Sequence, residues 1–129
     1  METKNIRQTV TFNAKPHDVF EILMDSKKHS ELAGDTAKIS RKVNGKFTVG
    51  VYIEGINLEI IPDEKIVQTW RYSDWPVDHY SKTTFSLQKV NGKTKMTFTQ
   101  TGVPAKFYKD IKQGWIDYYW GPMKEMLER

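Results

Sequence analysis

The chain has 129 residues, with 20 basic against 16 acidic side chains for a formal charge of +4, and no cysteine. That length suits one domain spanning residues 1–129, and the lack of cysteine excludes disulfides, thiolate nucleophiles and cysteine-ligated metal while fitting a reducing cytoplasm. The two signs of charge are interspersed along most of the chain, against a nucleic-acid footprint, and no apolar run approaches the roughly 18 residues of a membrane span.

Ile6, Val10 and Phe12 alternate with Arg7, Thr9 and Thr11, the period-2 pattern of a half-buried first strand. Pro16 suits the first position of a helix, Val19, Phe20 and Leu23 recur at helical spacing, and Asp25-Ser26 offers a fresh N-cap for a second short helix that Gly34-Asp35 ends. The pattern then changes to short strands between turn residues, the signal of an antiparallel meander. The expected strands cover roughly 36–43, 46–53, 55–61, 65–72, 80–89 and 93–101. Asn44-Gly45 and Asn91-Gly92 are hairpin turns because both residues tolerate the positive φ of a type I′ turn. Pro62-Asp63 marks another reversal. Lys38, Arg41, Lys42 and Lys46 form the one stretch with basic excess, either a solvated rim or a docking patch for an acidic partner.

After Gly102-Val103, Pro104 suits the first turn of a last helix that runs nearly to Arg129. Projected at about 100° per residue, Phe107, Tyr108, Ile111, Trp115, Tyr118, Tyr119 and Met126 share one face, which should point inward. Ile116, Trp120, Met123 and Leu127 make a second stripe, and Gly121-Pro122 should bend or loosen the helix because proline removes an amide donor and crowds the preceding turn. The order β, two short α, several antiparallel β, long α gives an α+β domain. A curved antiparallel sheet wraps around the C-terminal helix, with two short helices after the first strand. The expectation is that the helix spans the sheet's hollow without plugging it completely.

Strand parity places Ile56, Leu58 and Ile60, Ile66, Trp70 and Tyr72, Phe85 and Leu87, and Met96 and Phe98 on the concave face. The candidate ligand-binding residues are therefore Ile56, Leu58, Trp70, Tyr72, Phe85, Met96 and Phe98 from the sheet, with Ile111, Trp115, Tyr118 and Tyr119 from the helix. Gln68, Ser81, Thr83 and Gln100 share that parity, and two readings of them stand open: they satisfy one another in a filled core, or they orient an amphipathic guest in a pocket of about 300–1,000 Å³. Glu54 faces inward with Ile56 and Leu58 unless a bulge at Gly55 turns it out. Trp75 and Trp120 either pack internally, Trp120 with Ile116 on the short helices, or form an exposed patch for a protein partner.

Catalytic and metal motifs are missing. His17, His29 and His79 make no His-x-x-x-His pair and read as surface or satisfied histidines; Ser30, Ser73 and Ser81 lack a nucleophile elbow; no glycine-rich phosphate loop occurs. No catalytic residue, metal or cofactor is expected.

Four runs in order carry a family resemblance: Ile66-Val67-Gln68-Thr69-Trp70-Arg71, Trp75-Pro76 with His79-Tyr80-Ser81, Thr99-Gln100-Thr101-Gly102-Val103-Pro104, and Gly114-Trp115 with Tyr118-Tyr119-Trp120. Over nearly the whole chain they resemble the C-terminal domain of the activators of the 90-kDa heat-shock protein ATPase, in the START-related, birch-pollen-allergen-like superfamily. The resemblance implies a helix-grip fold. It also implies that two-domain members contact the chaperone largely through an additional N-terminal domain, which this chain, opening at the first strand, is expected to lack, and that many single-domain relatives hold small apolar molecules. The expected function is a non-enzymatic, cytoplasmic binding protein for a hydrophobic or amphipathic molecule, the alternative a co-chaperone-like module that binds a heat-shock chaperone.

Overall fold

In the computed structural model, which describes residues 1–129, seven strands form one antiparallel sheet in the order β1-β7-β6-β5-β4-β3-β2. They are β1 (Thr3–Phe12), β2 (Ala37–Ile39), β3 (Lys46–Val49), β4 (Ile53–Ile61), β5 (Lys65–Tyr72), β6 (Ser81–Val90) and β7 (Lys93–Pro104). Two short helices, α1 (Pro16–Met24) and α2 (Ser26–Ala33), follow β1. Pro16 opens α1, where its missing N–H costs nothing. The Asp25 carboxylate accepts from the Lys28 N–H at 2.9 Å to cap α2, and Gly34 closes it at φ 67°.

The turn chemistry is partly as expected. Asn91 and Gly92 both take positive φ, 52° and 77°, and join β6 to β7 through a two-residue hairpin. Asn44 takes φ 69° but Gly45 does not, so Asn44-Gly45 is not the predicted type I′ turn. Instead β2 ends at Ile39 rather than 43, and the loop that follows folds onto β4. There the buried Asn57 donates its side-chain amide to the carbonyls of Ser40 at 2.7 Å and Lys42 at 3.0 Å. The β3–β4 turn falls at Gly50, φ 57°, several residues before the break expected at residue 54 between strands 46–53 and 55–61.

The C-terminal helix starts later than the sequence suggested, because Pro104 is still paired in β7 and a single 3₁₀ turn (Ala105–Phe107) intervenes. It then runs through α3 (Tyr108–Trp115), a π-helical turn (Ile116–Trp120) and α4 (Gly121–Glu128). The wide turn answers Gly121-Pro122. Pro122 has no N–H to donate and its ring would crowd the carbonyl four residues back, and adding one residue to the turn relieves both problems. The Gly121 N–H accordingly bonds to the Ile116 carbonyl, five residues earlier. The helix contacts β1, and α1 and α2 pack on its second half. No helix is long and apolar enough to cross a membrane.

Candidate functional site

Over β6 and β7 the hollow beneath the helix is filled. The π turn sends Trp115, Tyr119 and Trp120 inward together, all buried. Trp115 and Trp120 stack at 5.3 Å with planes 17° apart, a pairing that a regular α-helix, in which residues five apart diverge by about 140°, does not allow. Below them Trp115 packs on Phe98 at 4.5 Å and on Trp70 at 5.5 Å, and Trp120 reaches Phe98 at 5.2 Å. Next to this cluster, between Phe85, Trp115 and Tyr119 and the side chains of Phe47, Ile66, Gln68 and Trp70 on β3 and β5, a void of about 20 Å³ remains, room for about one water.

The inward polar groups are spent on one another. The Trp115 indole N–H donates to Gln100 Oε1 at 2.8 Å, Gln100 Nε2 donates to Ser81 Oγ at 2.9 Å, and Ser81 Oγ donates to the Trp70 carbonyl at 2.8 Å. Gln68 Nε2 donates to Asn57 Oδ1 at 3.0 Å. Of the two readings of these residues, the structure has the filled core: burial without partners would be costly, and the partners are protein groups. Trp120 likewise donates to Gln8 Oε1 at 2.7 Å, and Gln8 Nε2 donates to the Lys112 carbonyl, tying the helix over β1.

His29, on the inner face of α2, is a buried, satisfied histidine. Its Nδ1 lies 3.2 Å from the Leu23 carbonyl and its Nε2 2.9 Å from the Tyr119 hydroxyl. A carbonyl only accepts, so Nδ1 carries the proton and Nε2 accepts from Tyr119. Desolvation depresses the His29 pKa below the usual 6.5 against the opposing backbone hydrogen bonds, and burial pushes the Tyr119 hydroxyl well above its usual range.

Room for a guest lies elsewhere. Tethered over β1, α3 stands away from the β3–β4–β5 half of the sheet, leaving an open groove of about 470 Å³. Phe107, Ile111, Gly114 and Tyr118 form its helix wall, Tyr52, Ile53 and Tyr72 the opposite wall, and Trp70, Trp115 and Tyr119 its floor. Tyr52 stacks on Tyr72 at 6.0 Å, 13° from parallel. Asp35, Asp74 and Asp110 also line the groove. The loop between β5 and β6 buttresses the floor: Trp75 is buried edge-on against Trp70 at 5.4 Å, and the Arg71 guanidinium donates to the carbonyls of Trp75 and Pro76.

Of the candidate residues, Trp70, Tyr72, Ile111, Trp115, Tyr118 and Tyr119 meet in this groove. Phe85, Met96 and Phe98 are buried core on β6 and β7 and do not line it. Ile56 and Leu58 do not line it: β4 turns Gly55 and Asn57 inward, leaving Ile56 half-buried and Leu58 exposed on the other face, and a register break after Asn57 brings Ile60 back opposite Ile66. The inward side takes Asn57 because the loop after β2 needs its amide, and glycine at 55 because a Cβ would collide with the Thr69 carbonyl and the Phe47 ring. Glu54 is therefore outward, accepting from the Tyr80 hydroxyl at 2.6 Å. Tyr118, expected inward, is 71 % exposed at the groove's edge because the π turn swings it out. Trp75 and Trp120 form no exposed patch, and Ile116 is exposed rather than packed on the short helices. The candidate set lacked Tyr52, Ile53, Phe107 and Gly114 as well as Asp35, Asp74 and Asp110; Phe107, on the inward helix face, and Gly114, between Ile111 and Trp115 on it, had a legible signal.

An antiparallel sheet curved around a long C-terminal helix, with two short helices after its first strand, defines a helix-grip protein. The match of residues 13–128 to the family described as Activator of Hsp90 ATPase homolog 1-like protein makes the chain a member of that family. An activator of 90 kDa heat shock protein ATPase homolog from Dictyostelium discoideum is 29% identical over 116 residues, covering 88% of this chain and 30% of the relative. Its human counterpart, homolog 1, is 26% identical over 116 residues, covering 89% and 34%. The chain thus spans about a third of the length of these curated relatives. The crystal structure of an HSP90 activator from Plasmodium falciparum superposes with a TM-score of 0.90 at 27% identity, covering 96% of both chains. CalU16 from Micromonospora echinospora shares the fold, with a TM-score of 0.78 at 17% identity over 98% of this chain and 81% of that one.

Proposed function

We propose that the protein is a non-enzymatic binding protein that seats a hydrophobic or amphipathic small molecule in the open groove between α3 and the β3–β4–β5 half of the sheet, acting in the cytoplasm. The observation that carries this reading is the groove itself: about 470 Å³, walled mostly by apolar and aromatic side chains, in a hollow otherwise packed shut. Its size falls in the range of small-molecule sites, and each CH₂ a guest buries there contributes about 0.8 kcal/mol. The absence of a catalytic step is part of the proposal. It is supported by the buried titratable pair, His29 and Tyr119, being bonded to each other and to the Leu23 carbonyl rather than poised toward a guest.

Gly114 provides the test. A Cβ there would meet only Tyr118, at 3.8 Å, so Gly114→Leu projects a side chain into the groove while replacing a poor helix former. Native mass spectrometry of protein purified from its own host should show a retained small molecule on the wild type and none on Gly114→Leu, with a melting temperature no lower than that of the wild type. Identical apo spectra would count against the carrier reading.

A second reading is favoured by the names of the relatives, which are activators of a heat-shock protein ATPase. On it, the domain binds a heat-shock chaperone and changes its ATP turnover. No effect on turnover and no binding at high micromolar concentration would remove it.

A further inference from the structure

Resting on the groove as a binding site, we propose that its guest is an organic cation: an amine, quaternary ammonium or guanidinium carried on an aromatic or aliphatic body. The charge distribution argues for this. The chain has 20 basic and 16 acidic residues, yet the charged residues that line the groove are Asp35, Asp74 and Asp110, with no lysine, arginine or histidine among the lining side chains. None of the three belongs to an ion pair; the four pairs in the structure join His17 to Asp63, Arg41 to Glu21, Lys65 to Glu59 and Arg129 to Glu31. Asp35 accepts one hydrogen bond, from the Thr36 N–H, while the Asp74 and Asp110 carboxylates have no protein partner. Unpaired carboxylates occur elsewhere on the surface too; what sets the groove apart is that all of its charged lining is of one sign and lies beside aromatic walls.

The aromatic walls favour the same charge. Tyr52, Tyr72 and Tyr118 stand at the groove, Tyr118 largely unpacked, and the negative face of an aromatic ring attracts a cation within about 6 Å of its centroid. An anionic head would meet repulsion from the three carboxylates, opposed only at one end by the Lys106 ammonium 5.7 Å from the Phe107 ring centroid, and a neutral guest would use only the apolar floor. An apolar body on Trp70, Trp115 and Ile111 with its cation at the rim satisfies both parts of the site.

The test is calorimetric titration of the wild-type protein with three matched probes: a naphthyl ring on a propyl chain ending in trimethylammonium, hydroxyl or carboxylate. The cation should bind about tenfold more tightly than the alcohol, the sum of two modest ion pairs and a cation–π contact, and the carboxylate weakest. Asp74→Asn with Asp110→Asn should remove most of that preference while leaving the alcohol's affinity unchanged. Raising salt from about 50 mM to about 500 mM should weaken the cation alone. An alcohol or carboxylate that binds as tightly as the cation overturns this inference and leaves the groove a binding site. Failure of all three probes overturns the groove reading as well. Cation binding that persists in Gly114→Leu places the charge elsewhere on the surface and also sinks the inference.

Discussion

The two ends of the hollow beneath the C-terminal helix are built from the same kinds of residue and come out opposite. Toward β6 and β7, Trp115, Trp120, Phe85 and Phe98 pack ring against ring, Gln100 and Ser81 beside them have protein partners, and the void next to Phe85 and Trp115, about 20 Å³, lies against β2, β3 and β5. Toward β3–β5, aromatics of similar size line about 470 Å³ of open space, and Tyr118 is left exposed. Aromatic content therefore does not decide whether a helix-grip hollow is core or site. Position of the helix does: its ties to Gln8 and β1 draw it toward one half of the sheet.

Substitutions can break this contrast. Trp115→Ala strikes the filled end and should cost about 3–5 kcal/mol, since it opens a cavity among five aromatic neighbours and strips Gln100 of its donor. Urea unfolding monitored by circular dichroism measures it; a loss below 1 kcal/mol would mean that end is not packed as described.

A smaller effect belongs to the boundary between the two ends, where His29 holds Tyr119. The folded His29 pKa lies below the unfolded 6.5, so the unfolded chain takes up the proton first as pH falls. Stability is full above about pH 6.5 and declines below it by at most about 1.4 kcal/mol per pH unit, until the pH passes beneath the lowered folded value. Melting curves at successive pH values should show this slope, and His29→Gln should flatten it. An unchanged slope in the variant would assign the acid sensitivity to other groups.

The smallest stability effect is expected at the open end. Tyr118→Ala should alter unfolding free energy by no more than about 0.5 kcal/mol, because the ring is mostly in solvent, yet weaken binding of a naphthyl cation by severalfold. Loss of stability comparable to that of Trp115→Ala would show that the two ends do not differ.

Much of the architecture was legible in local pattern. Strand alternation in β1, β5, β6 and β7, the Pro16 and Asp25 helix starts, the Gly34 stop and the Asn91-Gly92 turn depend on neighbours a few residues away. Parity read correctly wherever a strand is regular, and placed Trp70, Tyr72, Phe85, Met96 and Phe98 on the inner face. It failed in β4, where Asn57 is inward to serve a loop about 15 residues away in sequence and the register breaks beside it. Neither demand is visible in the alternation of Ile56, Leu58 and Ile60.

The C-terminal helix divides in the same way. Gly121-Pro122 announced a disturbance, but not that the ladder would widen into a π turn and exchange Tyr118 for Trp120 on the inward face. Helical projection assumes a constant angle per residue, and one added residue rotates everything after it. The sequence alone determined the order of elements, most of their faces and the family, because these follow from short-range stereochemistry and motif order. Only tertiary structure decided which aromatics fill the hollow and which border open space, since that depends on where the helix lies across the sheet, a matter of packing between residues about a hundred positions apart such as Gln8 and Trp120.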